Sequence, residues 1–203
     1  MTITLRIQVE RSALDGFSDR LTAALNRRLP TAIGDGLRAF VGRLQRDRLS
    51  GQGVATRTGA LKRSFGVSVG GDLASGIAGI VTTTSKYFAI QEFGGTIRPV
   101  QAKFLAIPLD AAKTPAGVTR YPSPLRQSLP TAFPEGTFVR NHVLFGKKDG
   151  KAIALFALKK SVTLRPRIGM ASLWSSFASG TMEPLLRSAV EDAQAEAAGS
   201  GKR

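Results

Sequence analysis

Few side chains in this chain have types and spacing suited to chemistry. There is one histidine, His142, and no cysteine. A lone imidazole needs carboxylate or thiolate partners to hold a metal ion. No acidic residue flanks His142, and it falls inside a strand expected over 138–145, so a structural or surface role is expected. The absence of cysteine excludes disulfides and thiolate zinc sites and is compatible with the bacterial cytosol. Glu92, Asp110, Glu135 and Asp149 are scattered, whereas a metal nuclease gathers its carboxylates around its ions. Gly51-Gln52-Gly53 lacks the later Gly-Lys-Ser/Thr with which a phosphate loop holds phosphate and magnesium. Gly94-Gly95 reads as a tight turn. No catalytic, cofactor-binding or metal site is expected, and the chain is not expected to be an enzyme.

Charge is the stronger signal. The chain has 203 residues and a formal net charge of +15. A field of that sign attracts polyanions and repels its own copies. From Arg27 to Arg63 there are nine basic residues and two acidic ones, and from Thr137 to Met170 eight basic and one acidic. Arg43, Arg46, Arg48, Arg57, Lys62, Arg63, Lys147, Lys148 and Lys151 are therefore candidates to face a partner or DNA. The alternative is an ordinary solvated surface. Base-reading motifs are missing: after the basic helix 33–49 the chain turns to Gly-Gln-Gly, so a helix–turn–helix lacks its second helix. Aromatics are only 7%, mostly phenylalanine at core spacing, which gives little support to an RNA-stacking sheet. Contact with nucleic acid would then be non-specific and made to phosphate.

The elements that must position these residues follow from periodicity. Ile3, Leu5, Ile7 and Val9 alternate with Thr4, Arg6 and Gln8, a half-buried strand. Ser12 starts a helix carrying Leu14, Phe17, Leu21 and Leu25, and Pro30 is expected to break it. A second helix carries Ile33, Leu37, Phe40, Val41 and Leu44 on one stripe. The segment 51–59 reads as a mobile loop, followed by a helical turn over 60–64. Strands are expected over 65–69 and 77–83 around Gly70-Gly71-Asp72, and a short helix over 86–93. Short strands are expected at 96–99 and 104–109. Five prolines crowd 112–136, read as an extended or partly disordered arm. Strands over 138–145 and 152–162 flank a turn at 146–150. A helix begins at 173–177, Gly180 interrupts it, and Thr181 caps a last amphipathic helix. The fold class is α+β: a mainly antiparallel sheet packed by an N-terminal helical pair and a C-terminal helix. One domain is expected over 1–198, with a frayed tail at 199–203. No stretch is apolar enough to cross a membrane, and the N-terminus does not resemble a signal peptide.

Two segments carry a family resemblance. One is Thr58-Gly59-Ala60-Leu61-Lys62-Arg63-Ser64. The other is Tyr87-Phe88-Ala89-Ile90-Gln91-Glu92-Phe93-Gly94-Gly95-Thr96-Ile97-Arg98-Pro99, followed by Lys103 to Pro108. In order and spacing they resemble the tail-completion or head–tail joining proteins of long-tailed bacteriophages, including the minor tail protein Z type. That family shows Thr-Gly-x-Leu-x-x-Ser, then Tyr-Ala-x-x-x-Glu-Phe-Gly, then Arg-Pro before a C-terminal helix. The matching positions here are Thr58, Gly59, Leu61, Ser64, Tyr87, Glu92, Phe93, Gly94, Arg165 and Pro166. Phe88 between Tyr87 and Ala89, and the proline-rich insertion, depart from the pattern.

The resemblance implies a structural virion protein of the neck or head-proximal tail, made in the host cytoplasm. It implies a homo-oligomeric ring, a hexamer by analogy, around the DNA path. Its partners would be the connector or stopper, the tail terminator and the tail tube, with non-specific contact to genomic DNA. The alternative is a non-specific DNA-binding or packaging accessory protein, which the charge alone fits equally well.

Overall fold

The computed structural model describes residues 16–51, 54, 58–121 and 125–199. The expected strand at 3–9, the helix start at Ser12 and the tail from 200 lie outside the described residues. The fold is α+β, with helices and antiparallel sheets. The described residues fall into two compact units, one drawn from 1–55, 60–88 and 167–203 and the other from 56–59 and 89–166.

The first unit is built on α1 (Phe17–Asp47), 31 residues long. The expected helical pair is this single helix, and Pro30 lies inside it. A proline in a helix interior costs about 3 kcal/mol. Leu29, Ile33 and Leu37 are all nearly or fully buried, and each such burial stabilises by about 1.5–3 kcal/mol. Ending the helix before Pro30 would swing that stripe off the core, so packing outweighs the break. After the short α2 (Ala60–Arg63), β1 (Phe65–Gly70) and β2 (Ala78–Thr83) form a two-stranded antiparallel sheet with Val67 opposite Val81 and Val69 opposite Gly79. Phe65, Val67, Val69 and Val81 pack with the core that contains the α1 stripe.

The chain returns to this unit as α5 (Met170–Phe177), a π-helical turn Ala178–Met182, and α6 (Glu183–Gly199). Gly180, expected to interrupt the helix, sits in the π turn, which carries the helix through rather than ending it. Such single turns are the usual form of π-helix. Ala189, Ala193 and Ala197 make a small-residue stripe buried on α6. Phe40 of α1 meets the Trp174 ring edge-on at 5.0 Å and the Phe177 ring at 5.4 Å.

The second unit holds most of α3 (Phe88–Phe93), then β3 (Gly95–Ile97), β4 (Leu105–Pro108), α4 (Leu125–Ala132), β5 (Thr137–Arg140), β6 (Val143–Lys148), β7 (Lys151–Lys159) and β8 (Val162–Leu164). A four-stranded antiparallel sheet has the order β4-β7-β6-β5, and β3 pairs with β8 in a separate ladder. The proline-rich stretch is folded over its described residues, contrary to the extended arm expected. Leu129 and Phe133 are buried in a second core with Ala112, Leu155 and Phe156, and the Tyr121 ring lies 5.5 Å from that of Phe133. Proline density disfavours long regular elements, but it does not prevent a short helix from burying two large side chains. Pro130 lies within α4.

The strand expected through 138–145 is instead a hairpin. Asn141 and His142 both have positive φ, 49° and 57°, the backbone of a two-residue type I′ turn. His142 is therefore an exposed turn residue. The next turn is equally tight: Asp149 and Gly150, at φ 52° and 69°, join β6 to β7. This moves Lys147 and Lys148 from the expected turn into strand β6.

Candidate interaction surfaces

The basic residues singled out in the sequence form two groups, one in each unit. Arg43, Arg46 and Arg48 lie at the C-terminal end of α1, where positive charge suits the negative end of the helix dipole. Arg43 is tied to Asp47 at 3.3 Å, one turn on. Arg46 is exposed and has no ion pair among the described residues. Arg48 caps the helix through its backbone N–H to the Leu44 carbonyl, and its Nε is buried. Lys62 donates to the Ser50 hydroxyl at 2.7 Å, while its carbonyl accepts from Gln45 at 2.9 Å. Arg63 is exposed beside it. Arg57, with most of the loop around it, lies outside the described residues. Much of this basic group thus serves the local structure.

The second group is freer. Lys147, Lys148 and Lys151 are exposed on the β6–β7 hairpin, with Lys148 directly opposite Lys151. Like charges placed opposite each other on a ladder destabilise it. The turn between them is held from the other side: the Glu135 carboxylate accepts from the Asp149 and Gly150 N–H groups at 2.6 and 3.1 Å. The ammonium of Lys147 stands 5.7 Å from the Phe138 ring centre, close enough for a cation–π contact. Among the described residues none of these three lysines has a carboxylate partner. The outcome is a braced turn that carries three exposed lysines beside the carboxylates of Asp149 and Glu135.

The motif residues divide between scaffold and surface. Gly59, at φ 70°, admits the chain to α2, and Leu61 packs on the core of its unit. The Ser64 hydroxyl donates to the Leu61 carbonyl and bonds the Thr83 hydroxyl, each at 2.7 Å. Thr-Gly-x-Leu-x-x-Ser is thus a clasp that seats one turn of helix at the mouth of the β1–β2 sheet, with Thr58 exposed at its start. In the second segment Phe88 packs inward, edge-on to Phe65 with 5.6 Å between ring centres. Tyr87 and Phe93 are 71% and 73% exposed. Ile97 and Val100 are exposed as well, so four of the five exposed large apolar residues among those described fall between 87 and 100. Glu92 is half-buried. Gly94 ends α3 at φ 72° against Leu164 and Pro166. This brings Gly94 together with Pro166, which is far from it in sequence. Arg165 is itself exposed.

Among the described residues no group of three or more His, Asp or Glu side chains could hold a metal ion, and no helix is long and apolar enough to cross a membrane. One pattern escaped the sequence reading: Gly66-Val67-Ser68-Val69-Gly70 has the spelling of a nucleophile elbow. An elbow needs a sharp strand-to-helix turn, but Ser68 sits in the middle of β1, opposite Ile80. A sequence reading also had no signal for one concavity in the first unit. It is an apolar groove of about 1050 Å³ between α1, β2 and the C-terminal helices, lined by Ile33, Leu37, Gly79, Trp174, Met182 and Leu186 among others.

Comparison with protein-family models, with curated proteins and with solved structures gave no match.

Proposed function

We propose that this chain is a structural protein of the bacteriophage neck or head-proximal tail, which completes the tail and joins it to the head as a ring around the DNA path. The observation that carries the proposal is the exposure of Tyr87, Phe93, Ile97 and Val100 along the segment that resembles the tail-completion family. An isolated folded chain gains by covering such side chains, and their concentration in 14 residues is what a protein–protein contact uses. Among the described residues the outer edge of β3 has no ladder partner, which makes it a template for pairing with another chain. In a ring, the β6–β7 hairpin would meet phosphates of the passing duplex without reading bases. No catalytic role is assigned to the chain.

Electron microscopy of lysates from a phage lacking this gene tests the proposal. Full heads separated from finished-looking tails are expected. Joined, infectious particles would overturn it. The second reading, a non-specific DNA-binding or packaging accessory, is favoured by one observation, the facing Lys148 and Lys151. It requires steeply salt-dependent DNA affinity from the free protein.

A further inference from the structure

The four-stranded sheet of the second unit has two faces of different character. Its core packs on one of them. Gly146 lies against the Phe133 ring there, and Leu144, Ile153 and Phe156 join the same cluster. Opposed residues of an antiparallel ladder share a face, and so do residues two apart along a strand. The register therefore gathers Phe138, Phe145 and Ala154 on the other face, with Lys147 opposite Ala152 beyond them. In the opposite direction that face carries Arg140, Val143, Ala157 and Ile107, then Lys159 opposite Leu105. The irregularity between Leu144 and Phe145 takes up one extra residue of β7, Leu155, so Ala154 and Ala157 both stay on this face.

The chemistry of the face is aromatic in the middle and cationic at both ends. Phe138 and Phe145 are half-buried and belong to neither core. Their rings are stacked, with 10° between planes and 5.2 Å between centres. The Lys147 ammonium stands 5.7 Å from the centre of the Phe138 ring, and Arg140, Lys147 and Lys159 are exposed. At the far end of the strands Phe104 and His142 form another ring pair, 6.1 Å apart, with the Lys103 ammonium 5.9 Å from the Phe104 centre. Ring and cation thus recur along the sheet. No residue of β4, β5, β6 or β7 is acidic. The turn carboxylates Asp149 and Glu135 stand together at one end, roughly 20 Å along β6 from Val143, the partner of Arg140. Residues 89–166 hold twelve Lys and Arg against four Asp and Glu, so the charge around the face has the same sign.

An occupant must bring flat or apolar surface to the rings and negative charge to the cations. Duplex DNA brings phosphate but keeps its bases stacked inside, which leaves the rings uncovered. A neutral protein surface covers the rings and leaves the cations without partners. A single strand brings both, because its bases are free to stack and its backbone carries the charge. We infer that the face of this sheet turned away from its core binds single-stranded nucleic acid, with bases on Phe138 and Phe145 and phosphates at Arg140, Lys147 and Lys159. The inference rests on this face alone and stands whether or not the proposed phage role does.

Fluorescence anisotropy of the full chain with a labelled oligothymidylate of about 16 nucleotides, and with a duplex of the same length, tests it. At equal salt the single strand is expected to bind roughly tenfold tighter or more. Phe138→Leu with Phe145→Leu keeps apolar bulk and removes the rings. It should weaken single-strand binding roughly tenfold and leave duplex binding within about twofold. Phe138→Tyr with Phe145→Tyr should retain single-strand binding. Equal affinity for single strand and duplex, or an equal loss of both in the leucine variant, would overturn the inference. Poly-glutamate displacing the oligonucleotide as efficiently as unlabelled oligothymidylate, charge for charge, would overturn it by identifying an acidic polypeptide as the occupant. If circular dichroism shows the leucine variant unfolded, a measurement on the unaltered chain decides. Photo-crosslinking of the same oligonucleotide carrying 5-bromodeoxyuridine, mapped by mass spectrometry, should place adducts within residues 137–147. Adducts confined to other segments, or none, would likewise overturn it.

Discussion

Gly94 is seated against Pro166: a Cβ built on it would lie 2.8 Å from the Pro166 Cδ and 2.8 Å from the Leu164 carbonyl oxygen. The next residue, Gly95, pairs with Leu164 and starts the β3–β8 ladder. One close approach thus joins two segments about seventy residues apart, at the point where α3 ends.

Gly94→Ala should destabilise the second unit. The left-handed φ of 72° costs a residue with a Cβ about 1–2 kcal/mol. The clash adds to this, because the obstacle is backbone and proline ring rather than a flexible side-chain tip. A fall in Tm of roughly 4–8 °C is expected by calorimetry. An unchanged Tm would mean that this contact does not hold the ladder.

Tyr87→Ser and Phe93→Ser test the exposed apolar segment. Neither side chain is in a core, so stability by urea titration should change by only about 0.5 kcal/mol or less. Assembly, read by analytical ultracentrifugation with neck and tail partners present, should be lost or weakened at least tenfold. If assembly is unchanged in the double variant, the segment is not the contact.

Changing Lys147, Lys148 and Lys151 together to alanine should leave the circular dichroism spectrum intact, since all three are exposed. It should lower affinity for duplex DNA of any sequence. Each lost phosphate contact should reduce the slope of log affinity against log salt by about 0.9, so a change of roughly 2–3 is expected. Equal slopes in the two proteins would place DNA contact elsewhere.

The pH response of the first unit should depend on Glu196. Hydrogen bonds from Arg28, with Arg27 alongside, hold the Glu196 carboxyl below its ordinary value of 4.5. A carboxylate with a depressed folded-state pKa stabilises above its unfolded pKa, and that stabilisation is lost as pH falls through the folded value. Glu196→Gln should therefore lower Tm at neutral pH, and the gap to the parent should close progressively below about pH 4.5. Because the pair is exposed, the gap should also shrink in high salt. A gap that persists at low pH would refute the electrostatic account.

The local pattern of the chain determined most of its elements. Turn signals at Gly70-Gly71-Asp72 and at 146–150 bracketed β1, β2 and β7. The stripe Ile33, Leu37, Phe40, Leu44 marked α1, glycine pairs marked the turns, and charge marked the β6–β7 hairpin. These are short-range properties, set by which face of a strand or helix each side chain takes. Tertiary structure decided what depends on competition between distant groups. Pro30 stays inside a helix because the side chains around it have a core to enter. The proline-rich stretch folds because Leu129 and Phe133 find Phe156 and Leu155. Gly180 carries a π turn because the helices on either side are both held by packing. Burial also separates the aromatics of one segment, Phe88 inward and Tyr87 and Phe93 outward. Periodicity over six helical residues cannot make that distinction, because it depends on whether another element covers each ring. The apolar groove was invisible for the same reason: its walls come from three places in the chain, and only folding brings them together.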